Sequence, residues 1–236
     1  MTPGSGVAVL VLAKAPEPGR VKTRLCPPLT PEQSADLAAA ALLDSVAAAA
    51  AVPGARLVVV LTGLVERAAR RTELAAVLGD VVVLPQRGDG LGERIAAAHR
   101  DVAALLPGRR TLQIGMDTPQ VDAEQLAAAD VMLASPTVDA VLGLATDGGW
   151  WALGLRRPAD ADLVAGVPTS REDTGERTLA ALRAGGLRVA LLPELTDVDT
   201  AADALAVAET APQTRFAAAV RSLPSLLTSA PAQGRV

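Results

Sequence analysis

Apolar residues in this chain fall into short unbroken runs separated by longer amphipathic stretches. Val7 to Ala13 is continuous and bounded by polar residues, the pattern of a strand buried on both faces. Leu57 to Leu61, Val81 to Leu84, Thr111 to Gly115 and Ala140 to Leu144 repeat that pattern, and Trp151 to Leu155 reads as a strand returning after a Gly148-Gly149 turn. Arg188 to Leu192 predicts a further strand. Helical stretches alternate with them. Thr30-Pro31-Glu32-Gln33 supplies an N-cap, a first-position proline and a capping-box glutamine for a helix running to about Ala51, where Pro53-Gly54 stops it. Further helices are predicted over Glu66 to Leu78, Leu91 to Leu106, Ala123 to Leu133, Glu176 to Ala184 and Ala201 to Thr210.

Strands alternating with helices predict a three-layer α/β fold, a mostly parallel sheet with helices on both faces. One domain over 1–211 accommodates all of it. Residues 212–236 are expected to add one helix and a disordered Ala/Pro/Gln/Gly tail. In such sheets ligands bind beyond the carboxyl ends of the strands, and the polar motifs of this chain fall at those ends.

Composition narrows the function. Half of the 236 residues are hydrophobic but only 1% are aromatic, so the core is built from Ala, Val and Leu. The net charge of -4 argues against a nucleic-acid surface. The single cysteine, Cys26, excludes an intrachain disulfide and suits a reducing cytoplasm. The single histidine, His99, lies in an Ala-rich helical run and is expected on its surface. No stretch is apolar for long enough to cross a membrane, since Asp44 and Ser45 interrupt the best one, and no basic stretch precedes Val7 as in a secretory leader. A cytoplasmic protein is expected, with neither nucleic acid nor membrane as partner.

Chemistry concentrates in four places. The two lysines of the chain, against twenty arginines, are Lys14 and Lys22, both directly after the first strand. With Arg20 and Arg24, against Glu17 alone, they give the segment a charge of +3. A cationic loop leaving a first strand is a phosphate site. Pro16 and Pro18 remove backbone N–H groups that a P-loop would use, so the side chains, helped by the Gly19 amide, carry the binding. Asp117, in Ile114-Gly115-Met116-Asp117-Thr118-Pro119, is placed to hold a divalent cation, although a turn would use the same residue. Asp197-Val198-Asp199-Thr200 offers a second acidic pair, of which one member is free to cap the next helix. Asp147-Gly148-Gly149-Trp150-Trp151 combines close backbone approach with an aromatic wall, or is a hairpin turn with core tryptophans. Gln86, in the Gly-rich run to Glu93, is a candidate reader of a nucleobase or ribose.

These blocks together resemble a known family. AKAPEPGRVKTRL with its LTPEQSADLAAAALLD helix, then GDGLGERI, IGMDTP, DGGWWALGL and DVDTAADAL, are similar in order and spacing to bacterial GT-A-like transferases of the radical-SAM/selenodomain-associated type, over roughly Val7 to Leu205. That family is similar in turn to 2-phospholactate guanylyltransferase and the molybdenum-cofactor nucleotidyltransferases. The resemblance implies a nucleotide-diphospho-sugar transferase fold and Mg²⁺- or Mn²⁺-dependent transfer from a nucleotide sugar to a small-molecule acceptor. Nucleotidyl transfer from a nucleoside triphosphate to a phosphorylated or carboxylated acceptor, or an idle nucleotide-binding protein, are the alternatives. It also implies phosphate contacts from Lys14, Lys22, Thr23 and Arg24, metal ligation by Asp117 with Asp197 or Asp199, and base contacts near Gln86 and Gly92. Lys22 and Arg24 would neutralise the leaving phosphate, Asp147 would serve as acceptor base, and Gly148, Gly149 and Trp150 would line the acceptor side. A homodimer is left open. Two departures stand out: the Gly-x-Gly-Thr-Arg-Met loop of the nucleotidyltransferases is absent, and Trp150-Trp151 replaces the tyrosines usual after Asp-Gly-Gly.

Overall fold

The computed structural model describes residues 6–228. Strand β1 (Val7–Lys14) is buried along its length and surfaces only at Lys14. Helix α1 (Pro31–Ala50) starts at the expected cap: the Thr30 hydroxyl accepts from the Gln33 N–H, and the Gln33 carboxamide accepts from the Thr30 N–H. Then follow β2 (Arg56–Thr62), α2 (Arg71–Gly79), β3 (Val82–Pro85), α3 (Leu91–Leu105), β4 (Arg110–Ile114) and α4 (Ala123–Ala134). The second half holds β5 (Ala140–Ala145), β6 (Trp150–Leu155), α5 (Thr174–Ala184), β7 (Val189–Leu195), α6 (Ala201–Thr210), α7 (Arg215–Arg221) and α8 (Pro224–Thr228).

The strands form one sheet in the order β3-β2-β1-β4-β6-β5-β7. Pairings are parallel except where β6 meets β4 and β5. This is the predicted α/β architecture, with β6 as the returning strand of the β5–β6 hairpin. Alternate residues of each strand enter separate cores. Val9 and Val11 of β1 pack with Leu42 and Leu43 of α1, and Leu10 and Leu12 pack with Ile95 and Val102 of α3. A third cluster joins α1 to α6 and α7 through Leu37, Val207 and Phe216. Asp44, which interrupts the apolar run of α1, accepts from the Arg215 and Phe216 N–H groups at 3.1 and 2.8 Å and so caps the start of α7.

The structure departs from the periodicity in three segments. The helix expected over Glu66 to Leu78 is interrupted: Val65–Arg67 is a short 3-10 turn, and α2 begins only at Arg71. Arg70 lies in the left-handed region (φ 51), which a right-handed helix cannot pass through, while its guanidinium grips both oxygens of Asp36 at 2.7 and 2.8 Å. Pro158–Val164 forms a 3-10 segment against α3 that is too short to show a period. Two short helices, α7 and α8, replace the one expected near the end; the tail 229–236 lies outside the described residues.

His99 is also a correction. It is fully buried rather than on the helix surface, with Nδ1 2.7 Å from the buried Thr111 hydroxyl. Ile95, His99 and Val102 share the inner face of α3 at helical spacing. Burial pushes the imidazole pKa from its ordinary 6.5 down to about 4. As pH falls the unfolded chain therefore takes up this proton first. The stability is complete above about pH 6.5 and drains away toward pH 4, with roughly 2 kcal/mol lost between pH 7 and pH 5. His99→Gln is expected to flatten the pH dependence of the urea midpoint over that interval by this amount, and an unchanged slope would contradict the assignment.

Candidate active site

At the carboxyl ends of β1 and β4, where the sheet's connections part in opposite directions, lies an open cleft of ≈ 1220 Å³. The loop after β1 forms one wall. Glu17, its one acid, is buried and turned away, accepting from the Leu64 N–H at 3.2 Å. Lys14, Arg20, Lys22, Thr23 and Arg24 line the cleft. The Lys14 ammonium donates to the Arg20 carbonyl at 2.8 Å and closes the loop on itself. Gly19, with φ +72, makes the turn but does not line the cleft.

Lys22 is the centre of the site. Its backbone is left-handed (φ 47, ψ 39), which carries the side chain inward, and only 10% of that side chain is exposed. Its ammonium lies 2.8 Å from Asp117 Oδ1 and 3.2 Å from Asp199 Oδ1, while Arg24 reaches Asp199 Oδ2 at 3.1 Å. Burial opposes the Lys22 charge, but the two carboxylates outweigh it and hold the pKa above the ordinary lysine value. The acidic motifs are locked side by side by the Val198 N–H, which donates to the Asp117 carbonyl at 3.0 Å. Thr200 is the cap of α6, in a capping box with Asp203, so Asp199 is free for the cleft. Asp197 faces the same space. Burial, then the neighbouring Asp117 and Asp147 charges, push its pKa up to about 7.

The opposite wall is the β5–β6 turn. Asp147 accepts from the Gly149 N–H at 2.8 Å, an Asx-type turn that leaves its second oxygen free of protein partners. Gly148 (φ +85) is obligatory: a Cβ there would collide with the Glu172 carbonyl. The Gly175 N–H donates to the Gly148 carbonyl at 2.7 Å, pinning the 169–175 segment to the turn. Both tryptophans reach the cleft, but differently: Trp150 is half-buried beside Gly148 and Gly149, while Trp151 is buried against Gly143 and donates its indole N–H to the Pro193 carbonyl at 3.0 Å.

Two expected base contacts lie outside the cleft. The Gln86 amide is committed to the Ala13 and Val60 carbonyls at 2.7 and 3.1 Å, and Gly92 is packed against the Ala165 carbonyl. Sequence reasoning missed Gln113 and the Thr169-Ser170-Arg171-Glu172 segment, all lining the cleft. Gln113, a lone amide in an apolar strand, was a legible signal; the loop carries none.

Among the described residues, no group of three His, Cys, Asp or Glu side chains is placed to hold a metal ion by itself. The donor set instead suits a hard cation that keeps waters and takes its remaining ligands from substrate phosphates: Asp117 and Asp199 flank one point, Asp197 stands beside them, and the Lys22 ammonium now bridges the gap.

No curated protein matches the chain. Solved structures do. A protein of Desulfovibrio desulfuricans G20, provisionally described as a nucleotide-diphospho-sugar transferase, is 28% identical, over 94% of this chain and 96% of its own, with a TM-score of 0.82. A cytidylyltransferase from Leptospira borgpetersenii serovar Hardjo-bovis is 13% identical over 97% and 99% of the two chains (TM-score 0.57). A CMP:2-keto-3-deoxy-manno-octonic acid synthetase complexed with CTP is 13% identical over 93% and 100% (TM-score 0.54). The fold is thus that of the nucleotide-diphospho-sugar transferases, shared with cytidylyltransferases. A family model matches residues 44–171, more than half of the chain, and by that match the chain belongs to the family described as "Uncharacterized protein conserved in bacteria (DUF2064)".

Proposed function

We propose that the protein is a metal-dependent transferase that uses a nucleotide-sugar donor and a small-molecule acceptor. The observation that carries this reading is the Lys22 ammonium held between Asp117 and Asp199 at the junction of a cationic loop and an acidic floor. Such a junction suits a diphosphate: the loop cations would take its oxygens, and the carboxylates would hold Mg²⁺ or Mn²⁺, which when bound would supply further positive charge to stabilise the departing phosphate.

The residues then divide the work. Lys22 and Arg24, with Lys14 and Arg20 behind them, bind the diphosphate and neutralise the charge that gathers on it as the bond to the anomeric carbon breaks. Asp147, through its oxygen not held by the Gly149 N–H, accepts the proton of the acceptor hydroxyl as that oxygen attacks the anomeric carbon. The nucleoside diphosphate leaves. Trp150, Gly148 and Gly149 provide a wall close to the acceptor. Nucleotidyl transfer is the second reading, favoured by the four cations of one loop, enough for a triphosphate; there the α-phosphorus is attacked and pyrophosphate leaves.

A thermal-shift screen of nucleoside triphosphates and nucleotide sugars, with and without Mg²⁺, tests the reading. A ligand at a hundred times its dissociation constant adds about 2.7 kcal/mol to stability. Metal-dependent stabilisation by nucleotide sugars is expected; stabilisation by triphosphates with pyrophosphate release selects the second reading, and a response to neither removes both. Asp117→Asn is expected to lower metal-dependent turnover at least a hundredfold, about 2.7 kcal/mol of barrier, and to lower the melting temperature as well, because Lys22 keeps only Asp199 as a charged partner. Full activity would make Asp117 a turn residue only. Lys22→Arg is expected to cost at least tenfold, because a planar fork does not fit between two carboxylates that a compact ammonium bridges; unchanged kinetics would refute the assignment of Lys22.

A further inference from the structure

The cleft extends onto the α3 face of the sheet, where Leu12, Leu91, Ile95 and Trp150 give it apolar walls. One polar side chain interrupts them. Gln113 lines the cleft from β4, four residues before Asp117, yet is 2% exposed. Among the described residues its oxygen is sealed and without a hydrogen-bond partner, and so is Nε2 of His99, the imidazole beside it. The other ring nitrogen of His99 lies 2.7 Å from the Thr111 hydroxyl, two residues along the same strand. Three buried polar side chains under an otherwise aliphatic core are costly unless they are mutually paired.

With the Gln113 amide oriented as the structure has it, oxygen inward, the pairing has one solution. The imidazole is neutral near pH 7, because burial holds its pKa near 4, and it carries one N–H. With the proton on Nδ1, Nε2 would set a lone pair against the Gln113 oxygen. With the proton on Nε2, the ring donates toward Gln113 Oε1 and Nδ1 accepts from the Thr111 hydroxyl, so each acceptor meets a donor. The Gln113 oxygen is then turned to the histidine and its amide nitrogen to the cleft, in keeping with the fact that this nitrogen is not sealed like the oxygen.

We propose that His99 is a positioning residue which, as its Nε2–H tautomer braced by Thr111, fixes Gln113 so that its NH₂ donates to an oxygen on a ring of the bound ligand lying against Trp150. The ring needs an apolar or C–H face and a hydrogen-bond-accepting oxygen, chemistry that a sugar and a nucleobase both offer. The inference rests on the nucleotide-sugar reading for the ligand, but not for the tautomer.

The experiment has two parts. The full chain has one histidine, so long-range ¹H–¹⁵N NMR of the uniformly labelled protein reads His99 alone. The Nε2–H pattern is expected at pH 7, and an Nδ1–H pattern overturns the proposal whether or not any nucleotide binds. The second part compares wild type with Gln113→Leu, Thr111→Val and Thr111→Ser, using the nucleotide sugar that most stabilises the wild type and its nucleoside diphosphate. Gln113→Leu is expected to weaken binding at least tenfold and to raise KM while changing kcat less than about threefold, as for a contact made equally before and during reaction. Thr111→Val is expected to follow it in part, and Thr111→Ser to restore wild-type behaviour. Equal loss for both ligands assigns the oxygen to the base, and loss for the nucleotide sugar alone assigns it to the sugar. Undiminished affinity for both in Gln113→Leu overturns the proposal. If the wild type binds neither, the nucleotide reading of the cleft fails, and the NMR pattern still decides whether His99 sets the direction of Gln113.

Discussion

A nearly buried ammonium cannot be left unpaired without a cost of several kcal/mol, and Lys22 meets that constraint with carboxylates from two distant parts of the chain. Asp117 leaves β4, Asp199 precedes α6, and the loop after β1 brings Lys22 to both. The separation from Lys22 to Asp199 is 177 residues. The pairing therefore ties the first loop, the middle of the sheet and the last α/β connection to one point. Arg24 on the far oxygen of Asp199 and the Val198–Asp117 backbone bond belong to the same knot. It also accounts for lysine in a chain that otherwise uses arginine: two carboxylate oxygens at 2.8 and 3.2 Å leave room for a compact donor.

The sheet determines why this knot faces a cleft. Connections leave β1 toward β2 on one side, while β4 lies on the other, so no chain covers the gap between their carboxyl ends. The strand interiors are aliphatic on both faces, and polar side chains are concentrated where strands stop. Gln113 and Thr111 of β4 are exceptions within a strand, and on the α3 face Thr111 meets the one imidazole of the chain.

The strand and helix order was legible because periodicity, caps and turn residues agreed. Thr30 and Gln33 form the predicted box, and of the acidic motif Thr200 is the cap while Asp199 faces the cleft. Most residues expected at the phosphate and acidic sites do meet in one cleft. What stayed hidden depends on long-range geometry. The break at Arg70 answers to Asp36 on another helix, and the commitment of Gln86 to the β1 and β2 carbonyls follows from its position against the sheet. The 169–172 segment joins the cleft only because Gly148 and Gly175 allow backbone to touch backbone. The burial of His99 was legible in the Ile95–His99–Val102 spacing, since α3 is strongly amphipathic and these three residues share its apolar face.

The reversed strand β6 has a consequence for how such a protein can diversify. Because it runs against its neighbours, the turn that introduces it arrives at the cleft as the tip of a hairpin, without supplying the phosphate loop or the acidic pair beside Lys22. Apart from Asp147, Gly148 and Gly149, which fix the turn, its side chains can change while β1 and β4 keep their register. Gly148 and Gly175 link that tip to one further segment, so the two drift together as a unit. The cleft is thus lined from two separate sources, the loop after β1 with the acidic pair on one side and the hairpin with its companion loop on the other. Changes to the rest of that hairpin and its companion loop can therefore reshape one wall of the cleft without disturbing the knot around Lys22 on the other.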